Sequence, residues 1–325
     1  MTILETFDLT NYVFSDEVDE DMCRSIRKNG AMLVMDPRIN RKEYRNFVST
    51  MEDYFTVNNN DREHHNLFQV PIALSPEKLD EIPLEYHPTN NAEHILNNHY
   101  YWSVGARPTN TQFEEFNRVD NILPEGFPNW KETLDHWSDH LLRTTKTVSQ
   151  MIAIGFGIPE NSFTSLMELA PHCLAPSSSD LRFFGRKGTV LSECHYDMNF
   201  ITIQDTTRFQ GLRIWLTNGR KVEVVIPEGY LLVQIGKQFE WLTAGICKAG
   251  KHEVVVTDKT IEAIKLSKDH GRRLCAVSSA LFSQIASDAM LKPLPGFVGS
   301  EFAEDYPPTL AGNYWKAELA RKLGG

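Results

Sequence analysis

The chain has 325 residues, of which 41% are hydrophobic and 23% charged, so it is long and apolar enough to bury a sizeable core. Its net charge of −10 argues against a nucleic-acid partner, because neutralising phosphates requires clustered Lys and Arg. No apolar run approaches the roughly 18 residues of a membrane span, and the first residues lack the layout of a signal peptide. We therefore expect a monomeric, cytoplasmic protein that binds a small molecule.

The cysteines point to the same compartment. They number five, an odd count, and show no CxxC spacing. This usage is typical of reduced thiols rather than of a disulfide framework or a zinc ribbon.

Helical patterns dominate the beginning of the chain. Apolar residues recur at helical spacing over residues 19–29 and again over residues 41–55. Between them, residues 31–35 form an apolar run that predicts a strand. This part of the chain is therefore expected to be helical with one supporting strand.

A polar, loop-rich region is predicted over residues 58–126. It contains an aromatic cluster in which Tyr101 and Trp102 are candidates to contact a substrate, although core packing is the commoner role of such rings. Pro128 then opens the strongest helical pattern of the chain, which ends at Gly155.

Beyond residue 165 the pattern changes to short β-type segments separated by turn residues. These segments cover residues 190–203, 212–216, 222–226, 230–235, 252–257 and 273–282, with a short helix at 259–268. Their spacing predicts a closed or double-sheet antiparallel fold. We divide the chain into a helical cap with supporting strands (1–160), a β core (161–292) and a C-terminal segment that wraps the core (293–325).

The sharpest pattern is His195-Tyr196-Asp197, followed by His252 at the start of another β segment. Alternate residues of a strand point to the same face, so His195 and Asp197 can direct two ligand atoms at one point. His252 supplies a third. Two imidazoles and one carboxylate on one octahedral face leave three positions open, which is typical of iron(II) oxygenases.

An HxD triplet also occurs by chance, so the motifs around it are needed to support the prediction of a metal site. Between the candidate ligands lie four short motifs, in the order Gly211-Leu212, Pro227-Glu228-Gly229, Gly236-Lys237-Gln238 and Thr243-Ala244-Gly245. A helix end of the form Gly157-Ile158-Pro159 precedes them. In content and order this run resembles the isopenicillin N synthase-like branch of the iron(II)/2-oxoglutarate dioxygenases, over most of the chain.

The resemblance implies a double-stranded β-helix (jelly roll), mainly β, with an N-terminal helical cap. It implies that His195, Asp197 and His252 hold Fe(II), and that 2-oxoglutarate and dioxygen are co-substrates. Oxidative decarboxylation to succinate and carbon dioxide would then drive attack on an unactivated C–H bond of a small metabolite.

One position departs from the family pattern. Family members place Arg-x-Ser on the strand after the distal His, where the guanidinium pairs with the far carboxylate of 2-oxoglutarate. Here Ala276 and Ser278 fall at the two positions, so the serine is kept and the arginine is missing. Ser278 remains a candidate to bind the carboxylate.

Three explanations stay open. If the strand after His252 is displaced along its neighbour relative to the family pattern, Arg272 can reach the pocket. It lies roughly 13 Å along the strand from Ala276. Arg213 on a neighbouring strand can take over and is our preferred candidate; the alternative for this residue is a solvated charge on the sheet face. The third is that 2-oxoglutarate is not used, or that this chain is an altered variant in which Ala276 replaces the arginine. Separately, Arg182 is a candidate to meet an acidic substrate.

The leading hypothesis is therefore an Fe(II)/2-oxoglutarate oxygenase that hydroxylates, desaturates or oxidatively cyclises a small metabolite. Amino-acid-derived compounds are within its range, as in kainoid-type biosynthesis. The alternatives are an oxidase of isopenicillin N synthase type, which needs no oxoacid, and a catalytically inactive jelly-roll binding protein.

Overall fold

A computed structural model describes residues 4–15, 21–58, 98–118 and 120–323. Its α-helices, numbered in chain order, are α1 (Thr10–Ser15), α2 (Asp21–Asn29), α3 (Arg41–Asn58), α4 (Glu114–Asn117), α5 (Trp130–Gly155), α6 (Leu181–Phe184), α7 (Lys237–Leu242), α8 (Asp258–Asp269) and α9 (Ala311–Leu323). None of these described helices has the length together with the apolar run that crossing a membrane requires.

The strands follow the same numbering. They are β1 (Thr6–Asp8), β2 (Ala31–Met35), β3 (Asn98–His99), β4 (Trp102–Val104), β5 (His172–Asp180), β6 (Val190–His195), β7 (Ile201–Asp205), β8 (Leu212–Trp215), β9 (Lys221–Glu223), β10 (Leu231–Ile235), β11 (His252–Val255), β12 (Cys275–Ser283), β13 (Met290–Leu291) and β14 (Thr309–Leu310).

Two sheets build the β core. The larger has the strand order β1-β2-β10-β7-β12-β5-β3, with β4 also paired to β5, and the smaller has the order β6-β11-β8-β9. Every pairing in both sheets is antiparallel except that of β1 with β2. The two sheets face each other and leave a pocket between them, lined by residues of both. This arrangement confirms the predicted jelly roll with its helical elements.

Helices α3 and α5 pack on each other and contact β12 of the larger sheet. Phe47 of α3 and Trp137 of α5 are fully buried, and their rings lie 5.9 Å apart. The apolar stripe that predicted these helices is thus the face that they turn to the sheet. A long helix with a wide apolar stripe gains its stability from such packing.

Several predicted boundaries agree with the structure. The strand Ala31–Met35 coincides with β2, and the helix predicted at 259–268 is one residue shorter at each end than α8. Of the predicted loop region, residues 59–97 lie outside the described residues. The described remainder contains the strands β3 and β4 and helix α4, which the sequence pattern did not indicate.

Two predictions for the second half were wrong in detail. The segment 190–203 is two strands, β6 and β7, which belong to different sheets and are joined by a turn. Strand β5 was missed because its run of serines lacks the apolar alternation of a typical strand. The C-terminal segment contains a regular helix, α9, for which no helical pattern was noted in the sequence.

Candidate metal centre

The two candidate histidines lie opposite each other on neighbouring strands. In the smaller sheet, His195 ends β6 and His252 begins β11, and the register pairs the two residues directly. Directly paired residues of antiparallel strands project to the same face. Both imidazoles therefore point into the pocket, with ring centroids 4.3 Å apart.

Asp197 lies in the turn after β6 and not in the strand. The expectation that Asp197 and His195 share one face of a strand was therefore wrong. The turn is held from both sides. The backbone N–H of Lys237 donates to the carbonyl of Asp197 (2.9 Å), and the hydroxyl of Thr202 donates to its Oδ2 (2.6 Å). The Asp197 carboxylate is thus fixed in place by β7 and by the start of α7.

The motif Gly236-Lys237-Gln238 explains how this turn is held. The N–H of Gly236 donates to Phe200, and that of Gln238 donates to Asn199, at 2.9 and 3.1 Å. Gly236 is required for this close approach, since a Cβ there would lie 2.1 Å from the carbonyl oxygen of Asn199. The motif that carried the family resemblance therefore supports the turn that presents Asp197.

The three side chains can share one ion. Oδ1 of Asp197 lies 3.6 Å from Nε2 of His195 and 3.7 Å from Nε2 of His252, and one ligand atom from each residue lies within 4.8 Å of the others. Nδ1 of His195 is 2.6 Å from the carbonyl of Glu193, which leaves its Nε2 directed at the cluster. Such a bond from the second ring nitrogen is how proteins orient metal-binding histidines.

Electrostatics also suit a cation here. Burial alone raises the pKa of Asp197, but the neighbouring His252 and hydrogen bonds from His195 and Thr202 outweigh it and bring the pKa to about 2. Burial lowers the pKa of His252. An ionised carboxylate beside a neutral imidazole is the protonation state that metal binding needs. The donor set, two nitrogens and one oxygen, fits Fe(II) with open positions.

The pocket beside the cluster has a volume of about 190 Å³. One side is apolar and includes Leu191, Phe209, Leu212 and Val254. The opposite side, on the larger sheet, carries hydroxyl and amide groups. The cavity is thus of a size and character for part of a small organic molecule.

The two arginines expected near the co-substrate do not line this pocket. Arg213 pairs in register with Glu253, the residue after His252, and therefore points to the opposite face of the smaller sheet. Its guanidinium lies 3.5 Å from the Glu253 carboxylate. Arg272 follows α8 at the surface, where it is exposed. Arg213 fails because side-chain direction follows sheet register, and Arg272 fails because it lies before β12 begins at Cys275.

Ser278 and Ala276 do line the pocket, as the expected register predicted. Arg182 does not. Its side chain is 58% exposed and forms an ion pair with Asp180, at 2.5 Å. Its guanidinium is therefore held in a surface ion pair and does not face the pocket, so the expectation that Arg182 meets the substrate was wrong.

Neither predicted aromatic residue lines the pocket. Trp102 is buried in the core, where its Nε1 donates to Asp135 (2.9 Å). Tyr101 stacks on His99 with the ring planes 8° apart, and it is His99 that reaches the pocket.

Sequence reasoning missed several polar residues of the pocket wall. They are Ser177 and Ser179 of β5, and Thr202 and Gln204 of β7. A polar run inside a predicted β region, such as Ser177-Ser178-Ser179, is a signal that could have found two of them. A strand lining a polar pocket need not alternate with apolar residues.

Comparisons with known proteins agree with this geometry. Residues 170–275 match the model of the 2OG-Fe(II) oxygenase superfamily, a segment that contains all three candidate ligands. No curated protein matches the sequence significantly.

Solved structures share the fold over nearly the whole chain at low sequence identity. A putative 2OG-Fe(II) oxygenase family protein from Caulobacter crescentus has a TM-score of 0.76 and 18% identity, covering 99% of this chain and 100% of that one. A full-length Neurospora crassa protein, solved in complex with alpha-KG and thymine, has a TM-score of 0.74 and 16% identity, with 99% and 97% coverage. JOX2, in complex with 2OG, Fe and JA, has a TM-score of 0.68 and 18% identity, with 97% and 83% coverage.

The family match, the jelly roll and the converging His-Asp-His cluster lead to one assignment. Members of the matched superfamily are oxidoreductases that use Fe(II) and 2-oxoglutarate, as its name states. Over residues 170–275 this chain is similar to the 2OG-Fe(II) oxygenase superfamily, and this segment brings together the three residues that could hold the iron.

Proposed function

We propose that this protein is an Fe(II)-dependent oxygenase that oxidises an unactivated C–H bond of a small metabolite. The observation that carries the proposal is the convergence of His195, Asp197 and His252 at the side of a pocket between the two sheets. In such enzymes the iron and a 2-oxo acid activate dioxygen, and the acid is decarboxylated as the substrate is oxidised.

The protein's own residues position the reactants. His195 and His252 are placed by a cross-strand pair, and Thr202 orients the Asp197 carboxylate. The apolar wall around Phe209 and Leu212 can bury the hydrocarbon part of a substrate and exclude water from it. Hydroxylation, desaturation and oxidative cyclisation all need this arrangement, and amino-acid-derived compounds are suitable substrates to test first.

Metal binding is the direct test. Under anaerobic conditions the wild-type protein should bind one Fe(II), and a variant with both His195→Ala and Asp197→Ala should not, because it loses two of three ligands. A variant with His136→Ala and Asp139→Ala, two exposed residues of α5, removes the same side-chain types away from the site and should bind as the wild type does. Equal iron affinity in all three proteins would contradict the proposal.

A second candidate function is that of an oxidase of isopenicillin N synthase type, which takes all electrons from its substrate. It is supported by one observation: no Lys or Arg lines the pocket within the described part of the chain. Succinate released per dioxygen consumed separates the two reactions, since only a 2-oxoglutarate oxygenase forms succinate in proportion to oxygen uptake.

A further inference from the structure

One wall of the pocket is polar and has no basic side chain among the described residues that line it. It is formed by strands β5, β12 and β7 of the larger sheet, whose register places Ser177 opposite Ser278 and Ser179 opposite Ala276. The hydroxyl of Ser278 lies 3.4 Å from Oε1 of Gln204. All five side chains line the pocket.

This wall lies away from the metal cluster along the same strands. Thr202, which hydrogen-bonds to Asp197, is two residues before Gln204 on β7. Two residues of a strand span roughly 7 Å, so a short carbon chain bound at the cluster would reach this wall. A 2-oxo acid held at the metal by its keto-acid end would place its tail here.

The arginines close to this wall are paired with carboxylates, and one of these, Asp205, itself lines the pocket. Arg41 forms an ion pair with Asp205, and Arg208 forms one with Glu52, both at 2.5 Å. Neither arginine lines the pocket, which has no Lys or Arg among the residues that the structure describes. His99 does line it, but burial lowers the pKa of its imidazole, which favours the uncharged form.

We infer that this pocket binds 2-oxo acids without selecting for a negative charge at the far end of the molecule. The inference rests on the proposed function and concerns its co-substrate. Among the described residues, the tail carboxylate of 2-oxoglutarate would meet hydroxyl, amide and imidazole groups and no Lys or Arg that lines the pocket, which leaves a partly buried charge without a counter-ion. An uncharged polar tail is matched by the same groups at no such penalty. Ala276 is the position where a cation would restore selectivity, since it faces the pocket across from Ser179.

The test compares two acids that differ in tail charge. Binding of 2-oxoglutarate and of its 5-methyl ester to the Fe(II)-loaded full-length protein is measured by calorimetry without oxygen. The wild type should bind the two within about threefold of each other. Ala276→Arg should then tighten 2-oxoglutarate by about tenfold or more relative to the ester, because a bidentate ion pair becomes available.

Two controls separate charge from other effects. Ala276→Gln adds length without charge and should not favour the diacid. Arg213→Ala removes a cation from the outer face and should leave both affinities unchanged. Wild-type preference for the diacid by tenfold or more would overturn the inference, and that measurement does not depend on any variant folding. Binding of neither acid by an iron-loaded protein would also overturn it, whereas failure to bind iron would contradict the proposed function itself.

Discussion

The residue that best shows how the site is supported is Thr202. Its hydroxyl donates to Oδ2 of Asp197 at 2.6 Å, and the residue is 4% exposed. It leaves Oδ1 of the carboxylate, the oxygen near both imidazoles, available for an ion. Partners of this kind orient a ligand and raise metal affinity although they do not touch the ion.

Thr202→Val should therefore weaken Fe(II) binding by roughly tenfold while the fold is kept, because the carboxylate loses its orienting bond. Anaerobic iron titration measures the change, and circular dichroism checks the fold. Thr145→Val is the matched control, since Thr145 is equally buried but donates to a helix carbonyl far from the site. If both variants bind iron like the wild type, Thr202 does not position Asp197.

At the scale of elements, the turn between β6 and β7 decides where Asp197 points. The two strands belong to different sheets, so the chain must cross between sheets within residues 196–200. Residues Gly236 to Gln238 hold that turn through three backbone hydrogen bonds. The start of α7 is thus part of the metal site although none of its side chains is a candidate ligand.

Gly236→Ala should disturb both stability and metal binding. The added methyl would overlap the Asn199 carbonyl, so the turn must shift, and we expect the free energy of unfolding to fall by roughly 1–3 kcal/mol. Urea denaturation of the metal-free protein and iron titration measure the two effects. Gly299→Ala, where no atom lies within 4 Å of the new Cβ, should change neither. Wild-type behaviour of Gly236→Ala would mean that this contact does not constrain the turn.

The same turn shows what the sequence could and could not predict. Hydrophobic patterns and motif order indicated the jelly roll and selected the three residues that the structure brings together. The local geometry was wrong, because residues 190–203 contain no Gly or Pro to mark the crossing between sheets. Arg213 was misplaced for a related reason, since the face on which a strand residue lies depends on a register set by distant residues.

At the scale of the whole molecule, an ion pair joins the helical region to the β core. Arg41 begins α3, and its guanidinium lies 2.5 Å from the carboxylate of Asp205, which ends β7 and has no exposed side-chain surface. Burial raises the pKa of Asp205 to about 6, although the Arg41 charge acts in the opposite direction.

This shift predicts how stability depends on pH. The pKa of Asp205 is higher in the folded protein than the ordinary value of 3.8, so protonation favours folding. Its contribution is complete below about pH 4 and is lost as the pH rises through about 6. Asp205→Asn should remove this decline, which urea denaturation at several pH values between 4 and 7 can measure. Parallel stability profiles for the wild type and the variant would argue against a raised pKa.

The position of β2 has a consequence for how the protein is made. This strand, with the apolar sequence Ala31-Met32-Leu33-Val34-Met35, pairs with β10, so that Ala31 lies opposite Gln234. During synthesis it leaves the ribosome with β1 but long before β10 exists, and an apolar strand with one unpaired edge is a template for association between nascent chains. Chaperone supply and translation rate should therefore govern the soluble yield of this enzyme more than the stability of its finished barrel does.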